Sequence, residues 1–424
     1  MTDQPSPVNQ PSPVNELADR FWEGILELNP TTATFYGDTR YADRLEDPSP
    51  EGRARARALM ERTAAEATDI PVEGLSTEER ITRDMLKVIG ELAVEEDDQG
   101  LYQLRVVDQM GGPQQLMPQL TAFQPVDTPE GREAFIARLH AYPTFMAANA
   151  DILREALGSG LTAPSIVTER VIAQLERMLA IPIDQAVIPS LVKVASDADR
   201  ETIRAVVRDE IYPADAAFLE ALKGDYLAAS RAENGIWSAP NGEALYRTQI
   251  LRWTTLQLDP RETHQVGLDE LESIETERRI IARGAGFGDD TATYRRSLAA
   301  DPANRPESRE TLIARAVEDI GRALEAAPRM FRRIPRAECR VIPVEEYKER
   351  DAPFAYYYQP SADSTRPGTY YVNTFDLPSR TYSRLASTTY HEAIPGHHFQ
   401  IALEGENTAL NNFRRFAARY AGGA

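Results

Sequence analysis

Apolar residues recur at helical spacing over most of the chain. In ELADRFWEGILEL an apolar residue returns every three or four positions, and STEERITRDMLKVIGEL, APSIVTERVIAQLERML and SRETLIARAVEDIGRALEAAP have the same period. Such stripes are typical of helices with one face in a core. The predicted core positions are Leu17, Phe21, Ile25 and Leu28; Ile81, Met85, Ile89 and Leu92; Val167, Val171, Leu175 and Met178; and Ile313, Val317, Ile320 and Leu324. Ser76 and Glu79 have the spacing of a capping box, and we predict a helical region over 16–335.

The pattern changes after residue 335. CRVIPV (339–344), FAYYYQ (354–359) and GTYYVNT (368–374) are short runs of aromatic and β-branched residues between Pro- and Ser-containing turns, which favours a small antiparallel β-sheet. Helical spacing then returns at SRTYSRLASTTYHEA, from Ser379. We therefore expect a mainly α protein in which residues 336–424 form a small sheet next to a helix that carries H-E-A-I-P-G-H-H.

The first fifteen residues differ from the rest. They contain QPSPVN twice in tandem, and a segment so rich in proline and polar residues predicts a disordered tail over 1–15. No basic and apolar leader precedes the first helix, and no apolar run reaches the length of a membrane span.

Charge and cysteine content narrow the class of protein. The chain has 47 Lys and Arg against 66 Asp and Glu, for a formal net charge of −19. So acidic a surface repels phosphate backbones and anionic lipids, which argues against nucleic-acid and membrane-surface partners. Cys339 is the one cysteine, so no intramolecular disulfide can form and a cytoplasmic location is predicted.

The candidate chemistry lies in TTYHEAIPGHHFQ, residues 388–400. His391 and Glu392 open like the zinc-peptidase motif H-E-x-x-H, in which two histidines one helical turn apart bind the metal. Here the next histidines are His397 and His398, which a straight helix would place roughly 9–10 Å from the first. Two ligands of one zinc, each at about 2.1 Å from it, cannot be that far apart.

Pro395 and Gly396 remove this conflict. Proline interrupts the hydrogen-bond ladder of a helix and glycine accepts unusual dihedral angles, so we expect a bulge that returns a histidine to the metal. The competing interpretation is a group of surface histidines at a helix end, where the helix dipole favours them.

The segment PFAYYYQPSADSTRPGTYYVNTFDLPSRTYSRLASTTYHEAIPGHHFQ resembles the bacterial family known as domain of unknown function 885, which is grouped with thermolysin-like zinc metallopeptidases of the Glu-zincin type. The resemblance extends upstream through LYRTQILRWTTLQLDPRETHQVGLDELESIETERRI and LREALGSGLTAPSIVTERVIAQLERML. It implies a Zn²⁺ cofactor, a peptide substrate and peptide hydrolysis with Glu392 as the general base.

The same resemblance implies roles for single residues. His391 would be the first zinc ligand, and His397 resembles the second, with His398 as the alternative. The strand TYYVN (369–373) resembles an edge strand that pairs with the substrate backbone.

Three candidate substrate contacts follow from that strand and the turn before it. They are Tyr371 and Asn373 on the strand and Arg366, which could meet a substrate carboxylate. Ordinary packing within the sheet and its loops is the competing interpretation for all three.

The third zinc ligand of the Glu-zincins is a glutamate on a later helix, which in this family resembles E-G-W-A-L-Y. The sequence ends at Ala424, where that element is expected, and after Glu392 only Glu404 and Glu406 remain, in an EGEN segment that reads as a turn. The resemblance therefore predicts a truncated enzyme. Two alternatives stay open: a non-catalytic helical binding protein, and a metal hydrolase of a non-peptide amide. Peptide specificity, exo- or endo-cleavage and oligomeric state are not decided by the sequence.

Overall fold

The structure is 68% helical, and its described residues also contain a three-stranded sheet. This computed structural model describes residues 12–121, 123–186, 188, 196–346, 349–350, 352–362 and 365–416. The predicted class, mainly α with a small sheet, is confirmed. No helix of the described part is both long and apolar enough to cross a membrane.

The chain divides into two compact units. Unit 1 is Met1–Thr254 with Ala409–Ala421, and unit 2 is Thr255–Thr408 with Gly422–Ala424. The helices between residues 255 and 335, which the prediction groups with the helical region 16–335, belong to the same unit as the sheet.

Apart from an isolated β-bridge between Pro164 and Arg231, the regular secondary structure in the described residues of unit 1 is helical. Its α-helices are α1 Pro13–Leu28, α2 Pro30–Phe35, α3 Pro50–Asp69, α4 Thr77–Asp98, α5 Leu101–Arg105, α6 Leu116–Leu120, α7 Pro129–Ser159, α8 Ser165–Leu179, α9 Asp197–Val206, α10 Tyr212–Ala221, α11 Leu227–Ala229 and α12 Gly242–Thr254. Two π-helical segments, Val207–Ile211 and Leu222–Tyr226, flank α10, and a 3₁₀ turn spans Pro113–Gln115.

Unit 2 combines helices with the sheet. It contains α13 Pro260–Gly284, α14 Thr291–Ala300, α15 Arg309–Ala326, β1 Cys339–Pro343, β2 Ala355–Tyr358, β3 Gly368–Val372, α16 Tyr382–Glu392 and α17 His397–Glu406. A last helix, α18 Asn412–Phe416, belongs to unit 1.

The first core of unit 1 follows the predicted pattern closely. Leu17, Phe21 and Ile25 of α1 are buried together with Leu86 and Ile89 of α4. The capping box predicted at the start of α4 is present. The predicted stripe of α4 fails at its first position, because Ile81 is 41% exposed in the opening turn of the helix.

Helix α1 starts earlier than the sequence suggests. Ser12 caps it by accepting a hydrogen bond from the backbone N–H of Asn15, and Pro13 takes a first-turn position, where a missing N–H costs nothing. Val14 is buried. Residues 12–15 of the predicted tail thus belong to the cap and first turn of α1, and residues 1–11 lie outside the described part of the chain.

Helix α15 buries a face that only partly overlaps the predicted one. Leu312 and Ala316 are fully buried, whereas Val317 is 53% and Leu324 39% exposed. Of the predicted positions, Ile320 is buried and Ile313 packs against the core cluster of the sheet and α16, in which Leu312 and Ala316 also lie.

The three strands lie where their aromatic and β-branched runs predicted them, but their pairing differs from a purely antiparallel sheet. The order is β1-β3-β2, with β1 parallel and β2 antiparallel to β3. Strand β3 is thus the central strand, buried at every position. The expectation that TYYVN is an edge strand is wrong, since β3 has a hydrogen-bonded neighbour on each side.

Candidate metal centre

The segment H-E-A-I-P-G-H-H forms two helices joined by a sharp break. Helix α16 ends at Glu392, Ala393 leaves helical geometry, and α17 begins at His397. The chain turns so tightly that a Cβ on Gly396 would lie 1.7 Å from the carbonyl oxygen of His391. Only glycine lets the backbone return this close to the end of α16. The break thereby removes the long separation that a continuous helix would impose on the histidines.

The break brings three potential ligand side chains together. His391, Glu392 and His397 each offer one nitrogen or oxygen atom, and these atoms lie within 4.8 Å of one another. The two imidazole centroids are 4.6 Å apart, and His397 Nε2 is 4.0 Å from Glu392 Oε2. Because zinc–ligand bonds are about 2.1 Å, ligands that share a tetrahedral zinc lie roughly 3–4 Å apart. These residues, termed here the histidine cluster, fit a zinc ion with small side-chain adjustments.

The electrostatics of the histidine cluster disfavour an internal ion pair between Glu392 and His397. Burial raises the pKa of Glu392, and the neighbouring His391 opposes that rise. Burial lowers the pKa of His397, and the charge of His391 lowers it further. A histidine with a lowered pKa stays neutral near pH 7, which is the form that binds a metal. At 4.0 Å from the carboxylate, a neutral His397 forms no strong ion pair.

The central strand holds α16 in position. The hydroxyl groups of Tyr370 on β3 and Thr389 on α16 are 3.2 Å apart, and both residues are fully buried. Leu385 of α16 and Ala393 pack in the same apolar cluster. The last turn of α16, with His391 and Glu392, therefore extends from an anchored helix.

His398 does not belong to the cluster, although it follows His397 directly. It is 1% exposed, its Nε2 lies 3.0 Å from the carbonyl oxygen of Ala337, and its Nδ1 lies 2.8 Å from the hydroxyl of Tyr357. Because a carbonyl only accepts, Nε2 must carry the proton and Tyr357 must donate to Nδ1. Both ring nitrogens are thus engaged by the protein. Of the two histidines that the sequence left open, the structure places His397 at the cluster.

These two hydrogen bonds to the ring of His398 were not predicted. Strand pairing puts Tyr357 opposite Tyr370, so both face the helices. A Cβ on Gly368 would lie 2.4 Å from the Tyr357 hydroxyl and 2.6 Å from His398 Nδ1. The sequence signal that could have indicated it is the strand FAYYYQ, because every second residue of a strand faces the same side of the sheet.

The three predicted substrate contacts have structural partners instead. Tyr371 faces away from the side of the sheet that carries Tyr370, and it stacks on Tyr356 at 4.7 Å. Asn373 is 2% exposed and its side-chain amide donates to the carbonyl groups of Glu349, Ala352 and Pro353.

Arg366 is similarly engaged. Its Nη1 donates to the carbonyl of Gln359 and its backbone N–H to Ser361 Oγ, both at 2.9 Å. These bonds close the turn that precedes β3. The structure therefore does not bring Arg366, Tyr371 or Asn373 into the histidine cluster, and their role as substrate contacts stays a prediction.

Glu404 and Glu406 lie in the last turn of α17, so the predicted turn at EGEN is wrong. The carboxylate of Glu406 accepts hydrogen bonds from the backbone N–H groups of Arg336 and Ala337 at 2.7 and 2.8 Å. It anchors the segment before β1. Among the described residues, no carboxylate other than Glu392 joins the histidine cluster.

Comparison with known proteins gives a family without an established function. Residues 30–423 match the model described as "Bacterial protein of unknown function (DUF885)". No curated protein matches the chain significantly.

Two solved structures share the fold. A candidate lipoprotein from Colwellia psychrerythraea superposes with a TM-score of 0.87 at 21% identity, over 98% of this chain and 75% of that one. A candidate lipoprotein of unknown function from Shewanella oneidensis gives a TM-score of 0.60 at 16% identity, over 96% of this chain and 74% of that one. At such identities the likeness extends to the fold alone.

Proposed function

We propose that this chain, which belongs to the bacterial family of unknown function DUF885, is a zinc-dependent peptide hydrolase of the thermolysin-like Glu-zincin type. The observation that carries the proposal is the histidine cluster, in which two imidazoles and a carboxylate meet within 4.8 Å at a break between two helices. A continuous helix would hold His391 and His397 far apart, so their close approach requires the tight turn at Gly396.

Two residues would hold the zinc and a third would move the proton. His391 and His397 offer imidazole nitrogens, and Glu392 lies next to both. When bound, zinc polarises a substrate carbonyl and lowers the pKa of water. Glu392 would accept a proton from the attacking water and pass it to the leaving amine. Its raised pKa, caused by burial, moves the carboxyl closer to the operating pH and makes it a better proton shuttle.

The test is Glu392→Gln, which keeps the shape of the side chain and removes its basicity. We expect peptide turnover to fall by about 10²–10⁴-fold, because that is the usual contribution of a general base. Zinc content should stay unchanged if His391 and His397 are the ligands. Glu325→Gln on the exposed surface of α15 is the matched control and should leave both quantities unaltered.

The measurements are zinc content after dialysis and cleavage of a mixed peptide library. Turnover close to wild type in zinc-loaded Glu392→Gln would exclude Glu392 as the base. Loss of zinc in the same variant would instead make Glu392 a ligand and leave the base unassigned.

A non-catalytic zinc-binding protein is the second candidate. It is favoured by the composition of the cluster, which contains two imidazoles and no carboxylate beyond Glu392 in the described residues, whereas catalytic zinc sites commonly have three protein ligands. Tight zinc binding without cleavage of any peptide would select this candidate. Cleavage of small acyl amides without cleavage of peptides would select a non-peptide amide as the substrate.

The cytoplasmic location predicted from the single cysteine is part of the same proposal. Cell fractionation with an antibody against the chain tests it, and recovery in the membrane or envelope fraction would reject it.

A further inference from the structure

Unit 1 contains a pocket that is unrelated to the histidine cluster. It has a cavity volume of about 40 Å³ and lies between the 3₁₀ turn Pro113–Gln115, the helices α6, α7, α8 and α10, and the π-helical segment Val207–Ile211. Its walls are mainly apolar, and they include Met117, Met178, Val207 and Ile211. Both ends of the π-helical segment thus line the pocket, and π-helical turns inside α-helices occur frequently at functional sites.

The polar groups of this pocket are acceptors. Asp215 is 3% exposed, and its Oδ1 accepts a hydrogen bond of 2.7 Å from the hydroxyl of Tyr142. Gln114 is fully buried, and its amide nitrogen donates to the carbonyl of Asp108 and to Gln174 Oε1.

The amide oxygen of Gln114 has no hydrogen-bond partner among the described residues. The two donor bonds of the amide nitrogen fix the orientation of the amide, because a flipped amide would place its oxygen against the Asp108 carbonyl. A buried acceptor without a partner costs free energy, so it indicates either a ligand or a water that donates to it.

Tyr142 links Asp215 to the 3₁₀ turn that carries Gln114. Its hydroxyl, besides donating to Asp215, lies 3.5 Å from the carbonyl oxygen of Pro113, which directly precedes Gln114. The ring of Tyr212 also lines the pocket, and aromatic faces attract cations. Among the described residues that line the pocket, Asp215 and the two tyrosines are the ionisable ones, so none of these residues offers a cationic side chain to neutralise Asp215.

We propose that the pocket around Asp215 binds a small alkylammonium group. An ammonium has three N–H donors and no acceptor, which complements a carboxylate and an unpaired amide oxygen. The aliphatic and methionine walls fit a short alkyl chain, and the two tyrosine rings add favourable contact with the charge. A metal ion suits the pocket less well, because hard cations need about six oxygen ligands.

The test uses n-propylammonium chloride as the probe, with n-propanol as the neutral analogue of the same size. Binding to the full chain is followed at pH 8 by the ¹³C signals of the methionine methyl groups. The signals of Met117 and Met178, which line the pocket, should shift saturably with n-propylammonium and much less with n-propanol. Met330, which is 72% exposed in unit 2, should not respond.

Asp215→Asn keeps the shape and the acceptor for Tyr142 but removes the charge, and it should weaken n-propylammonium binding at least about 30-fold. Asp209→Asn is the matched control, since Asp209 is exposed on the same π-helical segment and pairs with Arg208; it should bind like wild type. Equal binding by Asp215→Asn, equal binding of n-propanol, or no saturable shift at all would overturn the proposal. The last result would mean that an ordered water alone satisfies Gln114.

Discussion

The histidine cluster and the Asp215 pocket both gather polar side chains, but they suit different cations. The cluster lies at a chain break, where His391 is exposed and Glu392 and His397 are partly exposed, and it offers imidazole nitrogens that bind a divalent metal directly. The pocket is enclosed by apolar walls and offers a buried carboxyl and an amide oxygen. The type of ligand atom and the access of water to it therefore differ between the two sites, and both properties influence which cation a site binds.

The two sites also differ in what keeps them assembled. The histidine cluster depends on the backbone, through the close approach of Gly396 to His391. The pocket depends on side chains from separate helices, above all the bond between Tyr142 and Asp215. Substitutions of backbone and of side chain should therefore affect the two sites differently.

Gly396→Ala should have the largest effect. The added Cβ would lie 1.7 Å from the carbonyl oxygen of His391, so the break must open and the cluster must separate. We expect zinc affinity to fall by at least about 100-fold, more than the loss of a group that merely supports a ligand. The free energy of unfolding should fall by about 1–3 kcal/mol from overpacking.

Zinc competition and urea denaturation measure these two effects. Gly321→Ala in α15 is the matched control, because a Cβ there meets nothing within 4 Å. Alanine favours a helix over glycine by about 1 kcal/mol, so this control should be slightly stabilised with unchanged zinc affinity. Unaltered zinc affinity in Gly396→Ala would show that the break does not assemble the cluster.

Asp215 should make the stability of the protein depend on pH in an unusual direction. Burial raises its pKa from 3.8 to about 7, although the bond from Tyr142 opposes the rise. The facing tyrosines, Tyr142 and Tyr212, have pKa values raised above 10 and stay neutral. The unfolded chain therefore releases the Asp215 proton at lower pH than the folded chain, and stability falls as pH rises from 3.8 to about 7.

Asp215→Asn removes this dependence. Between pH 5 and pH 8, wild type should lose about 2–3 kcal/mol relative to the variant in urea denaturation. The exposed control Asp209→Asn should follow wild type at both pH values. A constant difference between wild type and Asp215→Asn would mean that the carboxyl is already ionised at pH 5.

Tyr357→Phe should have the smallest effect. It removes the donor to His398 Nδ1 and leaves a buried ring nitrogen without a partner, at a cost of about 1–3 kcal/mol. Zinc stoichiometry should be unchanged, because His398 lies outside the histidine cluster. Tyr246→Phe, a substitution at a 44% exposed position, is the control and should be nearly neutral. Loss of bound zinc in Tyr357→Phe would place His398 at the metal.

The parts of the fold that the sequence predicted well are local. The capping box of Ser76 and Glu79, the three strands and the break at Pro395 and Gly396 each depend on residues that are close in sequence. The histidine cluster could be predicted for the same reason, since its members lie within seven consecutive positions of the sequence.

Non-local arrangements were not predicted. The order β1-β3-β2 depends on how separate segments pair, and it makes Tyr371 face away from the side on which Tyr370 meets α16. The buried face of α15 depends on how the helix packs against the sheet and α16. The pocket combines residues from Gln114 to Asp215, about a hundred positions apart, and no local pattern marks it.

The most direct test of the metal site is equilibrium zinc competition on four chains: wild type, His391→Ala, His397→Ala and His398→Ala. We predict one tightly held zinc in wild type and affinity at least about 100-fold lower in the first two variants. The His398→Ala variant should keep its zinc affinity within about tenfold while losing stability, because its imidazole is bound by Tyr357 and Ala337. Retention of tight zinc by His397→Ala, with loss in His398→Ala, would contradict the assignment of the histidine cluster as the metal centre.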